Sequence, residues 1–305
     1  MVRKTKRKAA VAGSFYPRYK PDLLKVLNES FENSKFGPGE KCKSQNKDKR
    51  TVFGGLSPHA GYTYSGCAAA HTYLNLFREK IPDTVVIIGT DHQGYSDIGL
   101  MKEGIWKTPL GGIEIDRDLA EKILEKSPKI KEDESAFIGF PYGREHNIEV
   151  QLPFIKHCAG EKDLELVPIK MGVKDYETLV QISDVISSAI SEINKDIIIV
   201  ASSDMTHKRP ANMHDPADDL KDMKEKDQAV IDAFLQFDPE KVYKAARNTT
   251  VCGPQTITTL MLTCKELGCN EAEKLKYYTS YEKGGGTGPC EYSVGYFSGI
   301  LRKTD

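Results

Sequence analysis

Six side chains suited to metal ligation, proton transfer or nucleophilic attack stand at or beside the ends of predicted elements: His59, His92, His146, Asp204, His207 and Cys252. Two neutral imidazoles with one anionic ligand leave coordination positions open on a metal, as redox and hydrolytic centres require. Iron(II), copper and zinc all accept such a set, and a thiolate moves the balance towards copper(I) or zinc without excluding iron. The same residues permit metal-free chemistry, with Cys252 as nucleophile and a histidine as its base. Local sequence does not separate the two.

The elements that must position these residues follow from apolar periodicity. His59 comes just after a short strand, Thr51 to Leu56, and before an Ala-rich helix over Ser65 to Lys80. The run Thr84 to Gly89 is continuously apolar, as in strands covered on both faces, and ends in Thr90-Asp91-His92. A further buried strand, Asp196 to Ala201, ends in Ser202-Ser203-Asp204-Met205-Thr206-His207. A turn hydrogen bond would account for any one of these polar residues. Three strand ends of the same kind point to a site, because ligands of open α/β sheets bind beyond the carboxyl ends of the strands. A right-handed crossover would bring the ends bearing His59 and His92 to the same edge, on neighbouring strands.

Two candidates come from helices. Glu145 to Ile155 reads as a helix with His146 and Glu149 on one face, kinked or restarted at Pro153. Cys252 precedes a helix opened by Pro254, whose positive dipole end would lower a thiol's pKa. Elsewhere, Ile98 to Ile115 reads as a hairpin carrying the sole tryptophan, Trp106, as a core residue. Leu164 to Lys170 is a strand, and helices are predicted from Pro21, from a cap at Asp116, and over Tyr176 to Asn194, Leu220 to Phe237 and Pro239 to Asn248. Closing strands, Leu275 to Ser280 and Tyr292 to Leu301, flank Gly284-Gly285-Gly286-Thr287-Gly288. That loop lacks the Lys-Ser/Thr of a phosphate cradle and is read as a flexible loop placed to act as a lid.

Composition narrows the class. The 305 residues carry a net charge of -1, which argues against nucleic-acid binding through overall charge. No run approaches the ~18 apolar residues of a spanning helix, so a soluble protein without a membrane role is expected. Seven cysteines without a Cys-x-x-Cys pair suit a reduced, cytoplasmic chain. The prediction is a single α/β domain over residues 1–305, with a mixed, largely parallel central sheet flanked by helices on both faces. Its first eight residues, including Arg3-Lys4-Thr5-Lys6-Arg7-Lys8, are read as a solvated, mobile basic tail.

Five separated motifs resemble the Memo family. They are Pro58-His59-Ala60-Gly61-Tyr62-Thr63-Tyr64-Ser65-Gly66, Asp91-His92, Glu145-His146-Asn147-Ile148-Glu149-Val150-Gln151-Leu152-Pro153, Ser202 to His207, and Val251-Cys252-Gly253-Pro254. Ala12-Gly13-Ser14-Phe15-Tyr16-Pro17 matches the family's usual opening. The resemblance implies the fold of class III extradiol dioxygenases and a metal, Fe(II) first with copper or zinc as alternatives, on His59, His92 and Cys252. It places Asp204 and His207 in the same pocket. The expected function is a non-haem iron or copper redox enzyme in which Asp204 and His207 orient substrate or move protons and His146 stands behind the ligands. The alternatives are a non-catalytic module that binds a peptide or partner in the same pocket, and a cysteine-nucleophile hydrolase. The resemblance also implies an unidentified small-molecule or peptide ligand, and radical-SAM and AMMECR-type proteins as partners. The dioxygenases have a glutamate where Cys252 stands; a thiolate is softer and oxidisable, so ring cleavage is not implied along with the fold.

Overall fold

The computed structural model describes residues 5–304. Strand β1 (Lys6–Arg7) and helix α1 (Lys20–Glu32) lead to β2 (Val52–Ser57), α2 (Tyr62–Arg78) and β3 (Thr84–Thr90). Next come β4 (Ile98–Leu100), β5 (Ile105–Thr108), β6 (Gly111–Ile115), α3 (Arg117–Lys126) and β7 (Ile130–Glu132). The middle of the chain forms α4 (Leu152–Ala159), β8 (Glu165–Met171), α5 (Tyr176–Ser191) and β9 (Ile197–Ser202). The last third holds β10 (His207–Lys208), α6 (Ala217–Leu235), α7 (Pro239–Arg247), α8 (Pro254–Glu266), β11 (Glu271–Thr279), α9 (Ser280–Lys283) and β12 (Ser293–Arg302).

One mixed sheet runs in the order β1-β5-β6-β8-β3-β9-β2-β12-β10, with β11 on β12, β4 on β8 and β7 on β4. Its centre, β8-β3-β9-β2, is parallel, and β12 is antiparallel to β2. Every residue of β3 and β9 is buried, because these β-branched runs are covered on both faces. The glycines of β2 show how close that cover is. A Cβ on Gly54 would lie 2.5 Å from Cys264 Sγ of α8, and one on Gly55 2.6 Å from Thr72 Cγ2 of α2. Helices α1, α2 and α4 pack together on the α2 face, while α5 and α7 pack against α8 on the other. Asp116, Asp175 and Asp238 cap α3, α5 and α7 by accepting from backbone N–H groups. The hairpin β5-β6 forms as expected, with Trp106 1% exposed.

Three expectations are corrected. The basic tail is not free at Lys6–Arg7: β1 pairs with β5, and Arg7 is buried against Glu149 at 2.5 Å. Residues 1–4 of that tail lie outside the described residues. The helix expected from Glu145 begins only at Leu152, after a single 3-10 turn at Glu149–Gln151, and Pro153 stands in its first turn, where a missing N–H costs nothing. His146 and Glu149 therefore share no helical face. Finally, the strands ending near His59 and His92 are not neighbours, since β9 lies between β2 and β3.

Candidate metal centre

The intervening strand brings the third polar strand end into the same place. Ser57 is level with Ser202, and Ser202 with Gly89, so the chain leaves β2, β9 and β3 side by side on one sheet edge. His59, Asp204 and His92 follow within three residues of those positions. The amino end of α8 docks on the same edge: Cys252 N–H donates to Asp204 O at 3.2 Å, Gly253 N–H to Ser203 Oγ at 3.0 Å, and Gln255 Nε2 to Thr90 Oγ1 at 2.7 Å. One ligand atom from each of His59, His92 and Cys252 falls within 4.8 Å of the others. Two further triplets meet the same limit, His92 with Glu145 and His146, and Asp204 with His207 and Cys252. All six predicted residues therefore line one cavity of about 1000 Å³.

Hydrogen bonding decides which ring nitrogen faces outward. Ser202 Oγ donates its single proton to Asn147 O at 2.7 Å and accepts from Gln151 Nε2 at 2.9 Å. Towards His59 Nδ1, 3.1 Å away, that hydroxyl can then only accept. Nδ1 carries the proton, and Nε2 is left with the lone pair. Burial, and then the neighbouring histidines, hold the His59 pKa well below the ordinary imidazole range, so the ring is neutral. Its position is fixed further by Asp204 Oδ1, which accepts from His59 N–H at 2.7 Å.

His92 is held by Glu145, whose carboxylate accepts from His92 N–H at 2.7 Å and from Nδ1 at 2.9 Å, again freeing Nε2. Burial alone would raise the Glu145 carboxyl, but the hydrogen bonds and charge of His92 outweigh it and bring it down to about 2. Burial likewise works to lower the His92 pKa, yet Glu145 raises it above the usual value. His146 stacks on His92 with ring centroids 5.2 Å apart and lies 5.4 Å from the ring of His59. Burial brings its pKa down to about 4.

Cys252 departs from expectation. Burial, with the charges of Asp204 and Glu145, pushes its thiol well above the ordinary range and outweighs the backbone hydrogen bonding at Asp204 that favours the thiolate. In the absence of a cation the sulfur keeps its proton, and a cation among these ligands supplies the missing compensation. Burial also raises Asp204, to about 6, and its Oδ2 lies 3.9 Å from His59 Nε2. His207 Nδ1 donates to Thr250 O at 3.1 Å, and its Nε2 lies 3.7 Å from Cys252 Sγ. Two imidazole nitrogens and one sulfur, with both histidine tautomers set from behind, fit a Fe(II), copper or zinc ion.

The residues behind the ligands are not evident from the sequence. Glu145 holds His92, and Ser202 holds His59. Gln151 makes four hydrogen bonds, donating to Pro58 O and Ser202 Oγ and accepting from Ser57 Oγ and Tyr73 OH. Glu149, expected beside His146, turns away to Arg7. The one available signal was Glu145 adjoining His146, obscured by the helical periodicity assigned to that stretch.

Fold and site together define an α/β protein with histidines and a cysteine converging beyond the C-terminal ends of its central parallel strands. Residues 7–300 match the family described as Memo-like protein. The chain belongs to the Memo family. It is 37% identical to a MEMO1 family protein of Methanosarcina barkeri, across 97% of this chain and 99% of that one. It is also 37% identical to one of Pyrococcus furiosus, with the same coverage of both chains. A solved structure of an uncharacterized protein from Escherichia coli K12 overlaps it with TM-score 0.48 and 12% identity, over 83% of this chain and 100% of that one. Among the described residues, no helix is long and apolar enough to cross a membrane.

Proposed function

We propose that this chain is a metal-dependent redox protein that holds Fe(II), or alternatively copper, on His59, His92 and Cys252, zinc being the ion of a non-redox alternative. The observation that carries this reading is the approach of those three ligand atoms to within 4.8 Å of one another, with Nε2 the free nitrogen of both rings. A bound iron or copper ion would supply electron transfer and a polarising charge. The residues around it have separable tasks. Asp204, with a pKa of about 6, is suited to hold or release a proton near neutral pH. His207 is placed to accept one at Nε2, and the His146 ring restricts His92 by stacking on it. The ligand is an unidentified small molecule or peptide that enters the cavity.

The test is anaerobic purification followed by loading with Fe(II), Cu(I) or Zn(II). Wild type is expected to retain stoichiometric metal through desalting, and His59→Ala and Cys252→Ser to lose it. Equal retention by all three proteins would sink the assignment.

The contact of Cys252 Sγ with His207 supports a second reading, a cysteine nucleophile with His207 as base. The environment that pushes the thiol upward weakens it. It requires iodoacetamide to label Cys252 at a rate indifferent to chelators and slowed by His207→Ala.

A further inference from the structure

The cavity has a composition that bears on what enters it. Five aromatic side chains line it besides the histidines: Phe15, Tyr64, Tyr281, Tyr292 and Tyr296. Tyr64 and Tyr292 are 53% and 45% exposed, two of the few large apolar side chains left open to solvent among the described residues. Both belong to this one cavity. Exposed aromatic rings gathered at a single opening mark a binding surface.

The charges on the same wall are one-sided. Among the described residues, Asp204 and Glu291 line the cavity and no lysine or arginine does, while His92, whose pKa is raised, is paired with Glu145 at the histidine end. Asp204 is buried and keeps Oδ2 towards the histidines, while Glu291 is exposed at the opening. A phosphate, sulfonate or carboxylate lodged between Tyr64 and Glu291 would lose hydration and face a carboxylate. Tyrosine faces carry negative potential and attract cations, most strongly where water is excluded. The guanidinium of Arg209 lies 4.8 Å from the centroid of Tyr292, so this ring takes a cation within the fold and a ligand's cation there would meet its opposite face.

We infer that the tyrosine-lined part of the cavity binds a small organic cation, an amine or quaternary ammonium group on a compact apolar body. The inference rests on the proposed function only in taking this cavity as the ligand site; it does not depend on the metal being bound. The ammonium would lie against Tyr64 and Tyr292, with the carboxylate of Glu291 near it, and the body would extend towards the histidines.

Three probes of matched size test this by isothermal titration: benzyltrimethylammonium, neutral benzyl alcohol and anionic benzenesulfonate. The cation is expected to bind about tenfold or more tighter than either of the others. Tyr64→Leu and Tyr292→Leu, which keep apolar bulk but remove the ring, are each expected to weaken it about threefold to tenfold, and Glu291→Gln about threefold. Circular dichroism confirms that the variants are folded. Equal or tighter binding of the anion or the alcohol, no binding by any probe, or unchanged affinity in both tyrosine variants would overturn the inference. Metal content is measured on the same samples. A chain that takes up no metal yet prefers the cation removes the metal assignment alone, and one that loads metal yet prefers the anion removes this inference alone.

Discussion

The hydroxyl of Ser202 has one proton and two lone pairs, and each is engaged, by Asn147 O, Gln151 Nε2 and His59 Nδ1. The carboxylate of Glu145 is similarly used, accepting from His92 N, His92 Nδ1, His146 N and Asn147 Nδ2. Neither residue need touch a metal, but each sets which nitrogen of a ligating ring faces it, and such partners typically account for ~10–100-fold in affinity. Ser202→Ala and Glu145→Gln are therefore each expected to weaken metal binding by about that factor. Ser202→Ala should also cost ~1–3 kcal/mol of stability, because three buried polar groups lose a partner. Metal titration against a chelating indicator and urea denaturation read the two effects separately. Wild-type affinity in both variants would remove the positioning role and leave the histidine tautomers to be set some other way.

At the scale of elements, the buried strands were legible because continuous β-branched runs such as Val85-Val86-Ile87-Ile88 have few alternatives. Aspartate caps and first-turn prolines marked where α3, α7 and α8 begin. The neighbour relations were not legible. Spacing along the chain does not say that β9 inserts between β2 and β3; that order depends on which crossover covers which face. The false helix at Glu145 has a local cause. Ile148, Leu152 and Ile155 recur at helical spacing, but Glu145 and Asn147 bond to His92 and to Thr90 O, which holds the segment against the end of β3. Gly89 makes that approach possible, since a Cβ there would lie 2.1 Å from Asn147 Oδ1 and 2.6 Å from Ile148 Cγ1. Gly89→Ala should displace this segment, destabilise by ~1–3 kcal/mol through overpacking, and weaken metal binding by moving Glu145 off His92. Gly54→Ala is the control, for its clash is with Cys264 Sγ within the α8 packing. It should lower stability with metal affinity per folded molecule unchanged. If the two variants lose metal affinity equally, the β3 end is not the route by which packing reaches the site.

Across the whole molecule, a residue near the start of the chain supports a candidate ligand more than eighty residues later. Arg7 Nε donates to Phe137 O at 3.0 Å and its Nη2 to Glu145 O at 2.8 Å, and the guanidinium lies 4.1 Å from the ring centroid of Trp106. Its Nη1 pairs with Glu149, whose carboxylate also accepts from Ala10 N, Val11 N and Tyr16 OH. A run of lysines and arginines says nothing about a carboxylate 142 positions away, which is why the segment read as a solvated tail. Removing one partner of a buried pair leaves a charge without compensation, typically at ~3–5 kcal/mol, whereas replacing both can be close to neutral. Arg7→Met is therefore expected to lower stability by about that amount in urea denaturation, and Glu149→Gln to do so by less, because its amide oxygen still accepts from the backbone. The double variant should be more stable than the sum of the single losses predicts, by about 1–3 kcal/mol of coupling. Arg7→Met should also weaken metal binding, since the backbone of Glu145 loses its anchor, and Glu149→Gln should affect it less. Strict additivity would mean that the pair contributes no coupling. Unchanged metal affinity in Arg7→Met would mean that the amino-terminal strand closes the fold without reaching the site.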